Sequence, residues 1–222
     1  MAVIHRTTLS PTKLELLASW LPGRSWYRAT GSEPRLSKAG GFRLDDPKGE
    51  VGIEFMAVTD ESGPEPVTYL VPLTYRGAPL EGAEEALIGT SEHGVLGRRW
   101  IYDGAHDPVL FAQLAAFLRG EAEPQAQSMS DTPDPTVAAH LAGSVQVPVQ
   151  APEGLLVVTD GPSTTELLVG GGAGGQLTLG IRRVLRPEPE TPADAPPLGH
   201  VTAGWTLPDG RTARGRYAVV HA

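Results

Sequence analysis

The chain has 222 residues, 40% of them hydrophobic, enough apolar mass for one large domain or two small ones. Eighteen basic against 26 acidic side chains leave a net charge of −8, which opposes a phosphate-backbone partner, so no nucleic acid is expected. The absence of cysteine excludes a disulfide, a thiol nucleophile and a Cys-ligated zinc.

The opening "MAVIHRTTLSP" carries no apolar signal-peptide core, and no run approaches the roughly 18 apolar residues of a membrane span. A soluble cytoplasmic protein with no membrane partner is the default expectation. Val3 to Leu9 alternates loosely and suits a first strand. Ser10-Pro11 reads as a helix start, a hydroxyl cap followed by a proline whose missing N–H costs nothing there. Leu14, Leu17 and Leu21 follow at helical spacing, and Pro22-Gly23 ends the run. "VGIEFMAVT" and "VTYLVPLTY" are strands separated by "DESGPEP", whose residues bond locally or fix φ. "GRRWIYDG" is a third strand. Asp107-Pro108 then repeats the cap-plus-proline signal ahead of an apolar face formed by Val109, Leu110, Leu114, Phe117 and Leu118.

The pattern changes beyond Gly120. Residues 121–136 have no aromatic residue and no periodicity, and read as a linker. Short strands follow: "SVQVPV", "GLLVVT", "TELLVG", "QLTLGIRRV", "GHVTAGWTL" and "RGRYAVV", the last two joined by a "PDGR" turn. "RPEPETPADAPP" (186–197) is too rich in proline for a helix or a central strand. The expected class is therefore α+β, with an N-terminal block of residues 1–120 and a β-rich block of residues 137–222.

Candidate chemistry is sparse. Gly170 to Gly175 lacks the GxxxxGK[ST] pattern, and glycines between two strands most simply permit φ > 0 in a hairpin loop. The six histidines show no HxxxH or HxH spacing, so no metal site is expected. Asp45-Asp46, Asp60-Glu61 and Glu84-Glu85 are sequence neighbours that point apart, unlike a general acid/base pair. No serine has a triad context. Trp20, Trp26 and Tyr27 can stack on a sugar or a base, but at a helix end they more often pin the turn to the core.

"LLASWLPGRSWYR", "FRLDDPKGEVGIEFMAV", "VTYLVPLTYRGAPLEGAEEALIGT" and "LGRRWIYDGAHDPVLFAQL", in that order, resemble the maltokinase N-terminal cap domain of actinobacteria. The resemblance covers residues 1–120. It implies a cystatin-like fold, a helix on a curved antiparallel sheet, preceding a eukaryotic-kinase-like fold that phosphorylates maltose with ATP. "GLLVVTDGPSTTELLVGGGAGGQLTLGIRRVLRPEPE" resembles the opening strands of that family's kinase N-lobe. On this correspondence Asp160, Ser163, Thr164 and Thr165 stand where the family's turn covers the phosphates, and the glycine run only joins the next two strands. The family's phosphate-pairing lysine falls at or near Gly180, with Arg182 two residues along the same face. No HxD…N catalytic loop and no DFG-like Asp occurs in the sequence. The resemblance thus implies a vestigial nucleotide turn, no catalytic residue and no cofactor. It points to a binding or regulatory protein whose partner belongs to α-glucan, trehalose or maltose metabolism. The alternatives are one piece of a split sugar kinase, or a protein that binds ATP or another small molecule.

Overall fold

The computed structural model describes residues 8–143, 145–148, 157–169, 176–187 and 197–222. It is built on antiparallel sheet with two short helices, in keeping with the α+β class. No helix among the described residues is long and apolar enough to cross a membrane.

The first block contains the elements that the sequence signals mark, with one shifted start and two further strands. Strand β1 (Leu9–Ser10) pairs with a later strand, so Ser10 is not the helix cap. Helix α1 (Lys13–Trp20) begins two residues later at Thr12, which forms a reciprocal capping box with Glu15. A Thr with a Glu three residues on satisfies two orphan N–H groups, whereas Ser10 has no such partner. Strands β2 (Leu36–Asp45), β3 (Gly52–Asp60) and β4 (Val67–Arg76) form a meander. Strands β5 (Leu87–His93) and β6 (Gly97–Asp103) form a hairpin whose second strand pairs with the end of β4. Helix α2 (Pro108–Leu118) is capped by Asp107, whose carboxylate accepts from the Val109 N–H at 2.9 Å.

Residues 121–136 run along the first block. Within them β7 (Gln125–Ala126) pairs with Phe42 and Arg43 of β2. Beyond them come β8 (Ala138–Leu141), β9 (Val157–Asp160), β10 (Thr164–Val169), β11 (Leu177–Arg182), β12 (Gly199–Thr206) and β13 (Thr212–His221). The β12–β13 hairpin closes through the expected "PDGR" turn, with the Leu207 N–H bonded to the Arg211 carbonyl. Strands β10 and β11 pair from Val169–Leu177 onward, as a hairpin requires. Gly170 to Gly175, Val3 to Thr7 and most of the proline-rich 186–197 stretch lie outside the described residues.

Two seams join the blocks into one sheet. At the first, Gly40 of β2 pairs with Trp205 of β12. Gly41 beside it has φ +128°, and a Cβ there would lie 1.9 Å from the Phe55 carbonyl oxygen, so only glycine fits this bulge. At the second, residues following β11 bond to β4: the Leu70 N–H donates to the Arg183 carbonyl and the Leu185 N–H to the Thr68 carbonyl, both at 2.9 Å. The hydrogen bonding therefore runs from β4 through β3, β2, β12, β13 and β11 back to β4. The sheet closes on itself, which leaves no bare edge along that circuit.

Strand alternation sorts most of the core into two large clusters, beside a small third one around Tyr102. Ile53, Phe55, Ala57 and Leu70 pack with Phe111 and Leu114 of α2 and with Leu179, Ile181, Val201, Trp205 and Tyr217 of the second block. Met56, Val58, Tyr69 and Val71, on the other face of β3 and β4, pack with Leu17, Trp20 and Leu21. The α1 face thus meets the expected sheet, but Ile53, Phe55 and Leu70 turn toward α2 instead. Adjacent strand residues point to opposite faces, so both faces of β3 and β4 are covered. Leu17, Trp20, Ile53, Phe55 and Leu70 are buried, and Leu14 and Trp100 are half-buried at the margins. Full burial of a leucine such as Leu17 contributes roughly 1.5–3 kcal/mol.

One polar group interrupts the α1 face. Glu54 is 3% exposed and accepts from Lys13 Nζ at 2.7 Å, from Gln127 Nε2 at 2.7 Å and from Tyr75 Oη. Burial pushes its carboxyl up, but the Lys13 charge and the three donors outweigh burial and hold it below the usual range. A depressed folded value contributes stability at neutral pH that is lost as pH falls through and below about 4.3. Glu54→Gln should therefore cost about 2 kcal/mol at pH 7, since Lys13 is partly solvated. The gap between the two proteins in urea denaturation should narrow steadily below that pH. A gap independent of pH would remove the ion pair from the account.

Candidate functional site

The residues singled out as a phosphate turn form the tight hairpin between β9 and β10. The Gly161 N–H bonds to the Thr164 carbonyl at 2.8 Å, and Thr165 stands opposite Asp160 in the strand register. Ser163 takes part through its backbone, its carbonyl accepting from the N–H groups of Arg183 and Val184. The Thr164 hydroxyl accepts from Arg182 at 3.3 Å. The Thr165 hydroxyl, fully buried, donates to Asp160 Oδ1 and accepts from Arg183 Nε at 2.6 Å. The structure brings all four residues to one turn, and the polar side chains of Thr165 and Asp160 are engaged within the protein.

Arg183 is the centre of this arrangement. It is 0% exposed, donates to Asp103 Oδ2 at 2.5 Å, and lies with its guanidinium carbon 4.9 Å from the centroid of the Trp26 ring. A buried guanidinium is tolerable only when paired and hydrogen-bonded; carboxylate, hydroxyl and ring face supply most of that here, while Nη1 has no hydrogen-bond partner among the described residues. The chain Asp160–Thr165–Arg183–Asp103 links the second block to the first at the same place as the backbone seam. The sequence marks Arg183 only as one of a basic cluster with Arg182 and Arg186 and gives it no role. Its one signal was an arginine following the apolar alternation of "LTLGI", and Asp103 lies too far along the chain to be matched by spacing.

The position of the expected lysine is tightly enclosed. Gly180 pairs with Glu166 and Val219, and a Cβ there would meet Thr164 Cγ2 at 3.1 Å and Val219 Cγ2 at 3.2 Å. Arg182 stands opposite Thr164 rather than over an open surface.

The remaining candidates are structural. Trp26 is 1% exposed and packs between Trp20 and Tyr69, with ring centroids 5.8 and 5.9 Å away. Tyr27 donates to Asp60 at 2.7 Å, and partial burial together with that carboxylate pushes its phenol up to about 12. Asp46 accepts from three backbone N–H groups, those of Lys48, Glu50 and Val51, and so closes its own loop. His93 caps its turn, accepting from the Val95 and Leu96 N–H groups. Among the described residues no group of three or more His, Asp or Glu side chains is arranged to hold a metal ion.

Residues 20–107 match the family model of the maltokinase N-terminal cap domain. The match falls within the first block and stops short of the second. No curated protein matches the chain.

Proposed function

We propose that this protein is a non-catalytic binding or regulatory relative of the maltokinase cap, working with an enzyme of α-glucan, trehalose or maltose metabolism. In this reading residues 1–120 are a cystatin-like cap, residues 137–222 a degenerate kinase N-lobe, and residues 121–136 the connection between them. The cap match over residues 20–107 supports the first part. The β9–β10–β11 order of antiparallel hairpins agrees with the second.

One observation carries the non-catalytic assignment. The Thr165 hydroxyl is fully buried and bonds to both Asp160 and Arg183, so it is turned into the protein rather than toward a nucleotide. Phosphoryl transfer relies on a lysine and a metal ligand placed around the phosphates. At Gly180 there is neither a cation nor room for a longer side chain without neighbours shifting.

Titration with ATP and Mg²⁺ in a calorimeter, beside an assay for ADP release with maltose and glucosamine, tests the reading. We expect no saturable heat and no ADP above the protein-free control. Sugar-dependent ADP release would overturn it. Saturable ATP binding abolished by Asp160→Ala would make the turn a working nucleotide site and move the protein to the small-molecule-binding class.

A further inference from the structure

Next to the second seam lies a cleft of about 240 Å³ that draws its lining from both blocks. Val67, Val184, Trp205 and Leu207 make its walls largely apolar, and Thr68 adds one hydroxyl side chain. Arg28 and Arg186 also line it. Both side chains are exposed, and neither has an ion-pair partner among the described residues. Among the described residues no acidic side chain lines the cleft. In a chain of net charge −8 this is a local cationic spot over an apolar floor.

The backbone that presents the two arginines is held on both sides. The Arg28 N–H donates to Tyr69 Oη at 3.0 Å, which ties that loop to β4. Arg186 follows Leu185, itself bonded to Thr68. The Arg186 carbonyl also rests where Gly215 has no side chain, since a Cβ there would lie 2.3 Å from that oxygen and 3.0 Å from Trp205 Cη2. Only glycine allows the two segments so close, and that approach sets Arg186 beside the Trp205 ring.

We propose that this cleft binds a compact organic anion, a carboxylate or phosphate monoester on an apolar ring. The guanidiniums take the anionic head, for which their planar donor forks are suited. The apolar walls take the body, and the volume is sufficient because a cavity of about 150 Å³ already holds benzene. A sugar phosphate fits less well, because its hydroxyls would meet walls with almost no polar side chain. The site shares no residue with the Asp160–Thr165 turn, so it stands independently of the kinase-relative reading.

Tryptophan emission reports on the site through Trp205. Phenyl phosphate or benzoate should quench or shift it saturably, whereas inorganic phosphate and benzyl alcohol, each holding half the chemistry, should bind at least about tenfold more weakly. Arg28→Ala and Arg186→Ala should each weaken the organic anion about tenfold. Arg98→Ala, on β6 and outside the cleft lining, with its side chain 62% exposed, should leave binding unchanged. Trp205→Phe should abolish the emission change while a calorimetric signal persists. Phenyl phosphate tighter than benzoate would assign a phosphate ester, and the reverse order a carboxylate. The proposal fails if neither organic anion saturates. It fails equally if the double variant Arg28→Ala/Arg186→Ala, with its cooperative melt intact, binds as the parent does.

Discussion

Arg183→Met will cost the folded protein about 3–5 kcal/mol, while Arg182→Met costs less than about 1 kcal/mol. Arg183 is fully buried, and its loss leaves Asp103, itself 3% exposed, as an unpaired carboxylate in the interior. The Thr165 hydroxyl loses a donor, and the Trp26 ring loses the cation over its face. Methionine fills most of the volume, so the deficit is electrostatic rather than a cavity. Arg182, by contrast, is half-buried and makes one long bond to Thr164. Adding Asp103→Asn to Arg183→Met should recover part of the loss, because a buried amide is cheaper to leave poorly paired than a buried charge. Equilibrium denaturation with an unchanged m-value reads these differences. A loss below about 1 kcal/mol for Arg183→Met would show that the ion pair does not hold the two blocks together.

A fragment of residues 137–222 will not fold alone. Leu179, Ile181, Val201, Trp205 and Tyr217 share their cluster with Phe42, Phe55, Leu70 and the inner face of α2. Without the first block those side chains face water, and the sheet is cut at both Gly40–Trp205 and Tyr69–Val184. The orphaned strand edges and the bared apolar face favour aggregation over a native state. A segment of that size buries too little of its surface to tolerate the loss. Dispersed amide resonances and a cooperative melt from the fragment would mean that the seam is a docking contact between two independent domains.

The calorimetric absence of ATP binding and the capture of a ring-bearing anion are separate outcomes. The first concerns a turn whose Thr165 hydroxyl is held between Asp160 and Arg183, and the second a cleft whose two cations have no ion-pair partner among the described residues. A protein that meets both expectations is a binder whose ligand site lies where its halves meet, not where a kinase holds phosphate.

Much of the first block was legible in the sequence because its signals are local. Asp107-Pro108 caps and starts α2, alternation marks β3 and β4, and "PDGR" turns β12 into β13. The ordered motifs also led to the cap family, whose model matches residues 20–107. Strand β2 escaped notice because Gly40-Gly41 breaks its alternation, and those glycines are there for the bulge that meets Trp205. Strand β8 escaped because "AAHL" has too little apolar contrast to read as a strand.

Only the tertiary structure decided how the parts close. Period-two alternation says that Ile53 and Met56 point to opposite faces, but not which helix covers which. Seam partners such as Tyr69 and Val184, or Asp103 and Arg183, lie far apart in the chain, and no local pattern encodes a contact at that separation. The turn of residues 160–165 is held by one such contact. Residues 160–165 by themselves suit a phosphate turn or a structural hairpin, and only the fold brings the buried Arg183, from the end of β11, onto the Thr165 hydroxyl.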